Sequence, residues 1–295
     1  MDVFLTGATG YIGSAVAEAL QKSGHKVTGL ARTPEKAKQL ESRGVRACLG
    51  DLLKLETIAA GARAAEGVIH TANTNDANSA QVDAAVVRAI LKALEGAGKP
   101  FVYTSGVWVL GSTGDKVADE QTPVNPTPLV AQRPAIEQEV LGYKGRGVRT
   151  IVIRPALVYG RGGSIPKMVA QSARETGAAR YVGDGQNRWP FVDVDDLAQL
   201  YVLALEKAAP GSLYNAAHGP SYRVLEVAEA ASIGAGAKGK TQSWPLDEAR
   251  KTLHAFADAL ALDQQVSGEK AKKELGWSPR ASSVLDDLKT GSYTR

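Results

Sequence analysis

The sequence predicts an α/β protein built on a doubly wound parallel sheet, and two observations support that prediction. Across the first 160 residues, short apolar runs alternate with helical patterns, which is typical of parallel βαβ units. Two of the runs, residues 101–105 and 150–154, are apolar almost throughout, as expected where helices cover both faces of a sheet. The predicted strands of this part comprise residues 3–5, 26–31, 45–49, 67–71, 101–104 and 150–153.

Two segments between these strands place their apolar side chains on one face of a helix. In residues 12–20 and again in residues 82–94, the apolar positions recur with helical spacing. After Gly160 the pattern loosens into an irregular order of Gly, Pro and Arg. A helix over 195–207 and a strand over 212–216 are still predicted there.

These patterns predict one core and one smaller region. We expect residues 1–162, completed by 190–218, to form the doubly wound core. Residues 163–189 and 219–295, with short helices broken by Gly and Pro, are expected to form a small substrate-covering region, called the covering region below. It would lie over the carboxyl edge of the sheet, where open α/β sheets bind their ligands.

Composition excludes several classes of protein. The chain has 295 residues, 35 Lys and Arg and 31 Asp and Glu, for a net charge of +4. A hydrophobic share of 44% and a charged share of 22% are ordinary for globular proteins and exclude a disordered chain. Basic and acidic residues are interleaved, and no apolar stretch is long enough to span a bilayer. Neither a nucleic acid nor a membrane is therefore expected as a partner.

Cysteine and histidine usage narrows the chemistry further. The single cysteine, Cys48, excludes an intrachain disulfide and lies in an apolar segment, so a buried structural thiol is predicted. The four histidines are scattered without metal-ligand spacing, so no metal site is predicted, and His70 in a predicted strand is interpreted as structural. The N-terminus has no basic region or cleavage signal, and we expect a cytoplasmic protein.

A glycine-rich loop follows the first predicted strand and opens the first helix. Gly7, Gly10 and Gly13 have the spacing G-x-x-G-x-x-G in the strand–loop–helix context that a dinucleotide-binding loop requires. The first permits a tight turn, the second lets the backbone approach a pyrophosphate, and the third lets the helix pack closely on the strand. The helix N-terminus offers N–H donors to the phosphates. The remaining cofactor contacts expected from this Rossmann-type loop are Thr9, Tyr11 and Ile12.

Motifs along the chain resemble the extended short-chain dehydrogenase/reductases, which include the NAD-dependent epimerase/dehydratases. They are TGATGYIG at residues 6–13, GDL at 50–52, RPALVYG at 154–160, FVDVDDLA at 191–198 and LGWSP at 275–279. The resemblance covers nearly the whole chain. It implies a Rossmann-type fold and a reaction that uses a nicotinamide cofactor.

The end of the second predicted strand indicates which nicotinamide cofactor is used. No Asp or Glu stands there to bind the ribose 2′-hydroxyl of NAD. Arg32 instead offers a planar donor fork that suits a 2′-phosphate, and Thr33 lies beside it. We therefore expect NADP as the cofactor, with NAD as the alternative. Stacking on the adenine or exposure to solvent is the other interpretation of Arg32.

The resemblance implies further contacts to the cofactor. Asp51 corresponds to the family residue that contacts the adenine amino group, and a helix N-cap is a second role open to it. The other expected cofactor-binding residues are Leu52, Thr71, Ala72, Asn73, Thr104, Pro155 and Val158.

The catalytic pair of the family is replaced in this chain. The family uses a Tyr-x-x-x-Lys pair for proton transfer and for holding the nicotinamide ribose, and a Glu normally follows the Lys four residues later. Aligning that Glu on Glu137 places Arg133 at the Lys position and Leu129 at the Tyr position. Leu129 carries no transferable proton, and an arginine does not release one. We expect Arg133 to hold the ribose, with a solvated surface arginine as the other interpretation.

The residues expected to act on the substrate are Ser105, Tyr159 and Arg133. Ser105 corresponds to the family Ser or Thr that hydrogen-bonds the reacting oxygen, and capping of the strand is its other role. Tyr159 is the nearest replacement acid. Besides Ser105, the expected lining of the substrate pocket is Trp108, Arg188 and Trp189. Arg188 is expected to contact a phosphate, and an ion pair with an Asp is its alternative role.

The leading functional prediction is an NADP(H)-dependent oxidoreductase with a non-standard active site that transfers hydride to a small carbonyl-type substrate. A sugar-nucleotide epimerase or dehydratase is one alternative, weakened because Leu129 stands where those reactions need a base. A catalytically silent NADP(H)-sensing protein is another. We also expect a homodimer through the helices over 79–96 and 134–142. Burial of the apolar stripe of the first helix against the sheet is the alternative to that dimer.

Overall fold

The computed structural model describes residues 1–294. The strands are β1 Asp2–Thr6, β2 Lys26–Ala31, β3 Arg46–Leu49, β4 Gly67–His70, β5 Pro100–Thr104, β6 Val117–Ala118, β7 Arg149–Pro155, β8 Leu157–Tyr159, β9 Ala179–Val182, β10 Arg188–Trp189, β11 Phe191–Asp193, β12 Ser212–Ala216, β13 Tyr222–Arg223, β14 Thr241–Trp244 and β15 Gln265–Val266. The helices are α1 Tyr11–Lys22, α2 Pro34–Glu41, α3 Leu55–Ala64, α4 Ser79–Leu94, α5 Arg133–Gly142, α6 Ser164–Thr176, α7 Val194–Lys207, α8 Val224–Gly234, α9 Leu246–Leu253, α10 Ala255–Leu260, α11 Glu269–Leu275 and α12 Val284–Thr290. Short 3-10 turns comprise Val107–Leu110, Pro128–Val130 and Tyr143–Arg146.

The central sheet is parallel throughout, in the order β12-β7-β5-β4-β1-β2-β3. At one edge Ser212 pairs with Ile151, and at the other edge Ala31 pairs with Leu49. The strand order reverses between β1 and β4, and ligands bind at the carboxyl ends of the strands at such a point. The predicted fold class, an α/β protein with a Rossmann-type doubly wound parallel sheet, is confirmed.

Helices cover both faces of this sheet, which explains why its strands are so apolar. On one face α1 packs beside α7, and on the other α3, α4 and α5 pack side by side. The apolar stripe of α4 contributes Val86, Ile90 and Leu94 to the same core cluster as Phe101 of β5. That stripe is therefore buried within a single chain, which is the alternative to the dimer interface considered above.

A third apolar cluster lies outside the sheet and consists of residues between 157 and 293, drawn from α6, α8, α9, α10 and α12 among others. The sequence pattern missed α6, because residues 161–190 were interpreted as irregular. A helical signal was present: Val169, Ala170 and Ala173 have helical spacing and are buried. Gly163 and Pro166 at the start of the helix obscured it, although proline is compatible with a first helical turn.

Two smaller findings complete the description. Cys48 is half-buried rather than fully buried, because β3 is an edge strand with a neighbour on one side only. Burial raises the pKa of its thiol. None of the helices in residues 1–294 has the length and apolar character needed to cross a membrane.

Candidate active site

The glycine-rich loop between β1 and α1 has the two close approaches that its spacing predicts. Gly7 has a φ of +79°, and a Cβ there would lie 2.7 Å from the Thr71 Oγ1 atom. A Cβ on Gly13 would lie 2.1 Å from the Gly7 carbonyl oxygen, so helix and loop touch backbone to backbone. Gly10 is exposed at the N-cap of α1, and no side chain occupies the cap. The N-terminus of α1 is thus open to an anionic group.

The carboxyl end of β4 borders the same loop. Thr71 donates a hydrogen bond from Oγ1 to the Thr6 carbonyl at 2.8 Å, and the backbone nitrogen of Ala72 lies 2.8 Å from the Cβ position of Gly7. Asn73 is exposed, and its Oδ1 accepts a hydrogen bond from the Asn75 backbone at 2.7 Å. Thr71, Ala72 and Asn73 are all predicted to bind the cofactor. They directly follow the strand next to the glycine loop.

Tyr11 connects the glycine loop to the turn after β8. Its hydroxyl donates to the Gly160 carbonyl at 2.7 Å, and the site for a Cβ on Gly163 lies 2.4 Å from the Tyr11 ring. Burial raises the pKa of Tyr11, with Tyr293 adding to the effect. Of its neighbours in the motif, Thr9 and Ile12 are half-buried.

The residues expected at the adenosine end follow β2 and β3. Arg32 is exposed directly after β2, and its guanidinium has no hydrogen-bond partner within residues 1–294. Thr33 Oγ1 accepts from the Lys36 backbone at 3.3 Å and caps α2. Asp51 accepts from the Leu53 backbone at 2.9 Å and so caps a turn. The N-cap role considered for Asp51 is wrong, because Lys54 is the N-cap of α3.

Ser105 follows the carboxyl end of β5, and Arg133 approaches the next residue, Gly106. The Ser105 side chain is buried, with only 3% of the residue exposed, and its Oγ has no hydrogen-bond partner within residues 1–294. Arg133 is the first residue of α5, and its Nη1 atom lies 3.4 Å from the Cβ position of Gly106. The Pro155 carbonyl oxygen lies 3.8 Å from the same position. Gly106 thus follows the buried hydroxyl of Ser105 in the chain and has the guanidinium of Arg133 beside it in space.

Several other predicted cofactor residues are engaged with the core. Thr104 shares a hydrogen bond of 2.7 Å with the Tyr201 hydroxyl of α7. Leu52 and Val158 are each 7% exposed and pack in the apolar core. Leu129 is 39% exposed. It lies on the 3-10 turn before α5 and is therefore not on the helix that begins at Arg133.

The structure gives Glu137 a partner that the sequence did not indicate. Arg154 in β7 donates from Nε to Glu137 Oε1 at 2.9 Å, and its Nη2 donates to the other carboxylate oxygen. Both residues are almost fully buried, at 4% and 1% exposed. This bidentate pair fixes α5 against β7, and thereby fixes where the helix presents Arg133. Arg133 itself has no ion-pair partner within residues 1–294.

A buried polar network lies beneath the crevice and joins β1, β4, β5 and α4. His70 Nδ1 lies 2.6 Å from Thr6 Oγ1, and His70 Nε2 donates to Asp83 Oδ1 at 2.9 Å. The Tyr103 hydroxyl donates to Asp83 Oδ2 at 2.7 Å. Burial alone would raise the pKa of Asp83, but His70, Tyr103 and the charge of Arg133 hold it below its ordinary value. Within this network His70 has a structural role, as the sequence indicated.

Tyr159 is placed where it is a poor replacement acid. Its hydroxyl donates a hydrogen bond of 2.5 Å to the Ser282 carbonyl, and its ring packs edge-on against Phe191. Burial raises the pKa of Tyr159, and the negative charge of Asp193 raises it further. The geometry therefore argues against the catalytic role that the sequence suggested for Tyr159.

Two of the predicted pocket residues are also committed elsewhere. Arg188 binds Asp263 through Nε at 2.9 Å and Nη2 at 2.7 Å, which is the ion-pair alternative rather than the phosphate contact. Trp189 is 3% exposed, and its Nε1 donates to the Leu260 carbonyl at 3.0 Å. The third, Trp108, is half-buried, with its ring edge-on to Phe256 at 5.9 Å.

Comparison with known proteins gives the family. The profile of the NAD dependent epimerase/dehydratase family matches residues 3–217, most of the chain. The chain belongs to the NAD-dependent epimerase/dehydratase family. Membership places it among NAD(P)-dependent oxidoreductases, epimerases and dehydratases, so it is an enzyme of that class, as the motifs predicted. The glycine cradle and the unpartnered Ser105 hydroxyl fit a nicotinamide dinucleotide lying along the crevice.

Individual proteins resemble this chain over nearly its whole length. An uncharacterized protein of Saccharomyces cerevisiae is 35% identical, with 98% of each chain covered. A 4-hydroxy-2-methyl-3-oxo-4-farnesyl-3,4-dihydroquinoline-1-oxide ketoreductase of Stigmatella aurantiaca is 26% identical over 96% of this chain and 93% of its own. The solved UDP-glucose 4-epimerase of Thermus thermophilus, in complex with NAD, has a TM-score of 0.83 at 22% identity, with 100% and 99% covered.

Proposed function

We propose that this family member is an NADPH-dependent reductase of small carbonyl compounds, with Ser105 and Arg133 at the reacting centre. The observation that supports it most directly is the buried, unpartnered Ser105 hydroxyl, one residue before Gly106, whose Cβ position lies 3.4 Å from Arg133 Nη1. A buried hydroxyl without a partner is costly, and a substrate oxygen would satisfy it. The full-length similarity to a ketoreductase supports the same reaction class.

The cofactor when bound supplies the hydride, and the residues of the chain hold it and orient the carbonyl. The glycine cradle and the N-terminus of α1 would bind the pyrophosphate, with Thr71 and Ala72 beside them. Arg32 would contact the 2′-phosphate. Arg133 would donate hydrogen bonds to the nicotinamide ribose, which is the role of the family lysine.

Ser105 donates a hydrogen bond to the carbonyl oxygen as negative charge develops on it. In a site with little water, one such donor is worth about 2–4 kcal/mol in the transition state. Arg133 adds a permanent positive charge nearby but does not release its proton. Leu129 has none to release, and Tyr159 already donates to Ser282. The proton that completes the alcohol therefore comes from solvent.

The proposal is tested with Ser105→Ala and a matched control. We expect kcat with a reducible ketone to fall by about 30-fold to 900-fold, the equivalent of 2–4 kcal/mol, while the Kd for NADPH stays nearly constant. Ser232→Ala is the control, because Ser232 in α8 is also buried with an unpartnered hydroxyl and lies outside the crevice. Full activity of Ser105→Ala on a confirmed substrate would contradict the assignment.

A further inference from the structure

Arg188, the arginine that the sequence predicts to contact a substrate phosphate, forms an ion pair with a carboxylate. Asp263 accepts three hydrogen bonds from Arg188, at 2.7 Å from the backbone nitrogen, 2.9 Å from Nε and 2.7 Å from Nη2. Asp115 approaches the same guanidinium at 3.2 Å. The hydrogen bonds from Arg188 hold the pKa of Asp263 below its ordinary value, so the partner is a carboxylate.

This ion pair belongs to a larger connection between two segments of the covering region. Asn187 donates from its side-chain amide to the Leu260 and Leu262 carbonyls at 3.0 and 3.1 Å. Trp189 Nε1 donates to the Leu260 carbonyl as well. To bind Arg188, a substrate phosphate would have to displace Asp263 from these contacts. The phosphate and the displaced carboxylate would then lie close together as two negative charges.

The segment that follows Ser105 packs among apolar and aromatic side chains. Trp108 follows Ser105 by three residues and packs against both the core and the covering region. Its ring meets Phe256 of α10 edge-on at 5.9 Å. The same helix packs on the 3-10 turn that presents the exposed side chain of Leu129.

The position of Trp108 is fixed from the other side by a buried amide. Gln264, 1% exposed, donates from Nε2 to the carbonyls of Val107 and Gly111 at 2.9 and 2.8 Å. These bonds hold both ends of the 3-10 turn that carries Trp108. The turn that carries Trp108 is therefore held in place, and a preformed apolar surface favours apolar ligands.

We propose that the substrate is a phosphate-free carbonyl compound whose body is an aromatic ring or an alkyl chain lying against Trp108, Phe256 and Leu129. This inference rests on the proposed reductase function and adds the substrate class to it. A sugar nucleotide is disfavoured twice, since its diphosphate has no free arginine at position 188 and its sugar would face apolar side chains.

The test compares a homologous series of methyl ketones and phenyl ketones with NADPH. We expect kcat/KM to rise about fourfold for each added methylene until these side chains are covered, the ratio that corresponds to about 0.8 kcal/mol per buried CH₂. Trp108→Ala and Phe256→Ala should raise KM for the largest ketones about tenfold or more. The effect should shrink with the size of the ketone, so KM for the smallest ketone should change less than KM for the largest.

Two controls separate a pocket effect from a folding defect. Trp108→Phe should restore most of the selectivity for large ketones. Trp244→Ala removes an indole that Arg180 covers on the strand β14, and it should leave the ketone series unchanged. A flat dependence of kcat/KM on ketone size would overturn the substrate class and leave the reductase function standing.

Calorimetric titration of the NADPH-saturated protein provides a measurement that does not need turnover. If no ketone is reduced, the reductase proposal fails, and binding then decides the substrate class alone. Binding of a phenyl ketone that Trp108→Ala weakens would support it. Tighter binding of UDP-glucose than of any ketone would overturn it.

Discussion

The exposed guanidinium of Arg32 is the feature of the adenosine end that favours NADP. An arginine without a partner at the end of β2 can bind a 2′-phosphate in bidentate fashion, whereas no carboxylate is present for a 2′-hydroxyl. We expect NADPH to bind at least about tenfold more tightly than NADH, a difference of about 1.4 kcal/mol. Arg32→Ala should remove most of it, and Arg43→Ala, at another exposed arginine, should not. Equal affinities in the unmodified protein would show that the assignment is wrong.

Asp83 makes the stability of the protein depend on acid pH. The folded state holds its pKa below the ordinary value, so the carboxylate stabilises the fold fully above about pH 4, where the unfolded chain is also ionised. This contribution is lost as pH falls through the lower, folded-state pKa. Asp83→Asn should lower the free energy of unfolding at pH 7 by about 1–3 kcal/mol.

Chemical denaturation over a series of acidic pH values measures this effect. The slope of stability with pH below about pH 4 should be smaller in Asp83→Asn than in the unmodified protein. Asp184→Asn, at an exposed turn, is the control and should leave the slope unchanged. An identical slope in Asp83→Asn would mean that the network does not hold Asp83 ionised.

Single residues show what sequence could and could not reveal about the site. The tight turn at Gly7 and the close packing at Gly13 follow from spacing alone, and the structure has both. The pairs Glu137 with Arg154 and Arg188 with Asp263 join different elements, 17 and 75 residues apart, and no local pattern marks them. For the same reason the hydrogen bond from Tyr159 to Ser282 was not foreseen.

At the scale of elements, Tyr293 and the glycine-loop residue Tyr11 are both hydrogen-bonded to the turn after β8. The Tyr293 hydroxyl accepts from the Gly160 backbone nitrogen at 2.8 Å and donates to the Gly163 carbonyl at 2.9 Å, while Tyr11 donates to the Gly160 carbonyl. Tyr293 is 2% exposed. This connection ties α1, the turn after β8 and the segment after α12 into one unit.

Tyr293→Phe tests this connection. The substitution leaves the buried Gly160 N–H without an acceptor and should lower the free energy of unfolding by about 1–3 kcal/mol in chemical denaturation. Tyr143→Phe is the matched control, because the Tyr143 hydroxyl only accepts a long, exposed hydrogen bond from Arg146. Equal stabilities of the two variants would contradict the structural role of Tyr293.

Elements of the sheet were more predictable than those of the covering region. β2 and β12 have the bounds that their apolar runs indicate, and β1, β4 and β5 differ by one residue at one or both ends. Buried parallel strands are recognisable because most of their positions are apolar. The short strands β10 and β13 pair only with each other across distant segments, so local sequence carries little signal for them.

For the whole molecule, the homodimer stays a prediction, and the structure changes the argument for it. The apolar stripe of α4 is buried against the sheet, and Arg88 on its outer side bonds Glu139 of α5 at 2.9 Å. Charged rather than apolar contacts would therefore dominate an interface through these helices. Light scattering at micromolar concentration in low and high salt measures the mass. A dimer that dissociates in high salt is expected, and a monomer in both would refute the dimer.

Hydride transfer from NADPH to a carbonyl carbon is the central claim for the molecule. The most direct test supplies NADPH with deuterium at the transferable position of the nicotinamide, together with a phenyl ketone, and measures the product by mass spectrometry. We predict an alcohol that carries one deuterium on the former carbonyl carbon and forms in step with oxidation of the cofactor. Tight binding of NADPH with no labelled alcohol from any ketone in the series would contradict the account.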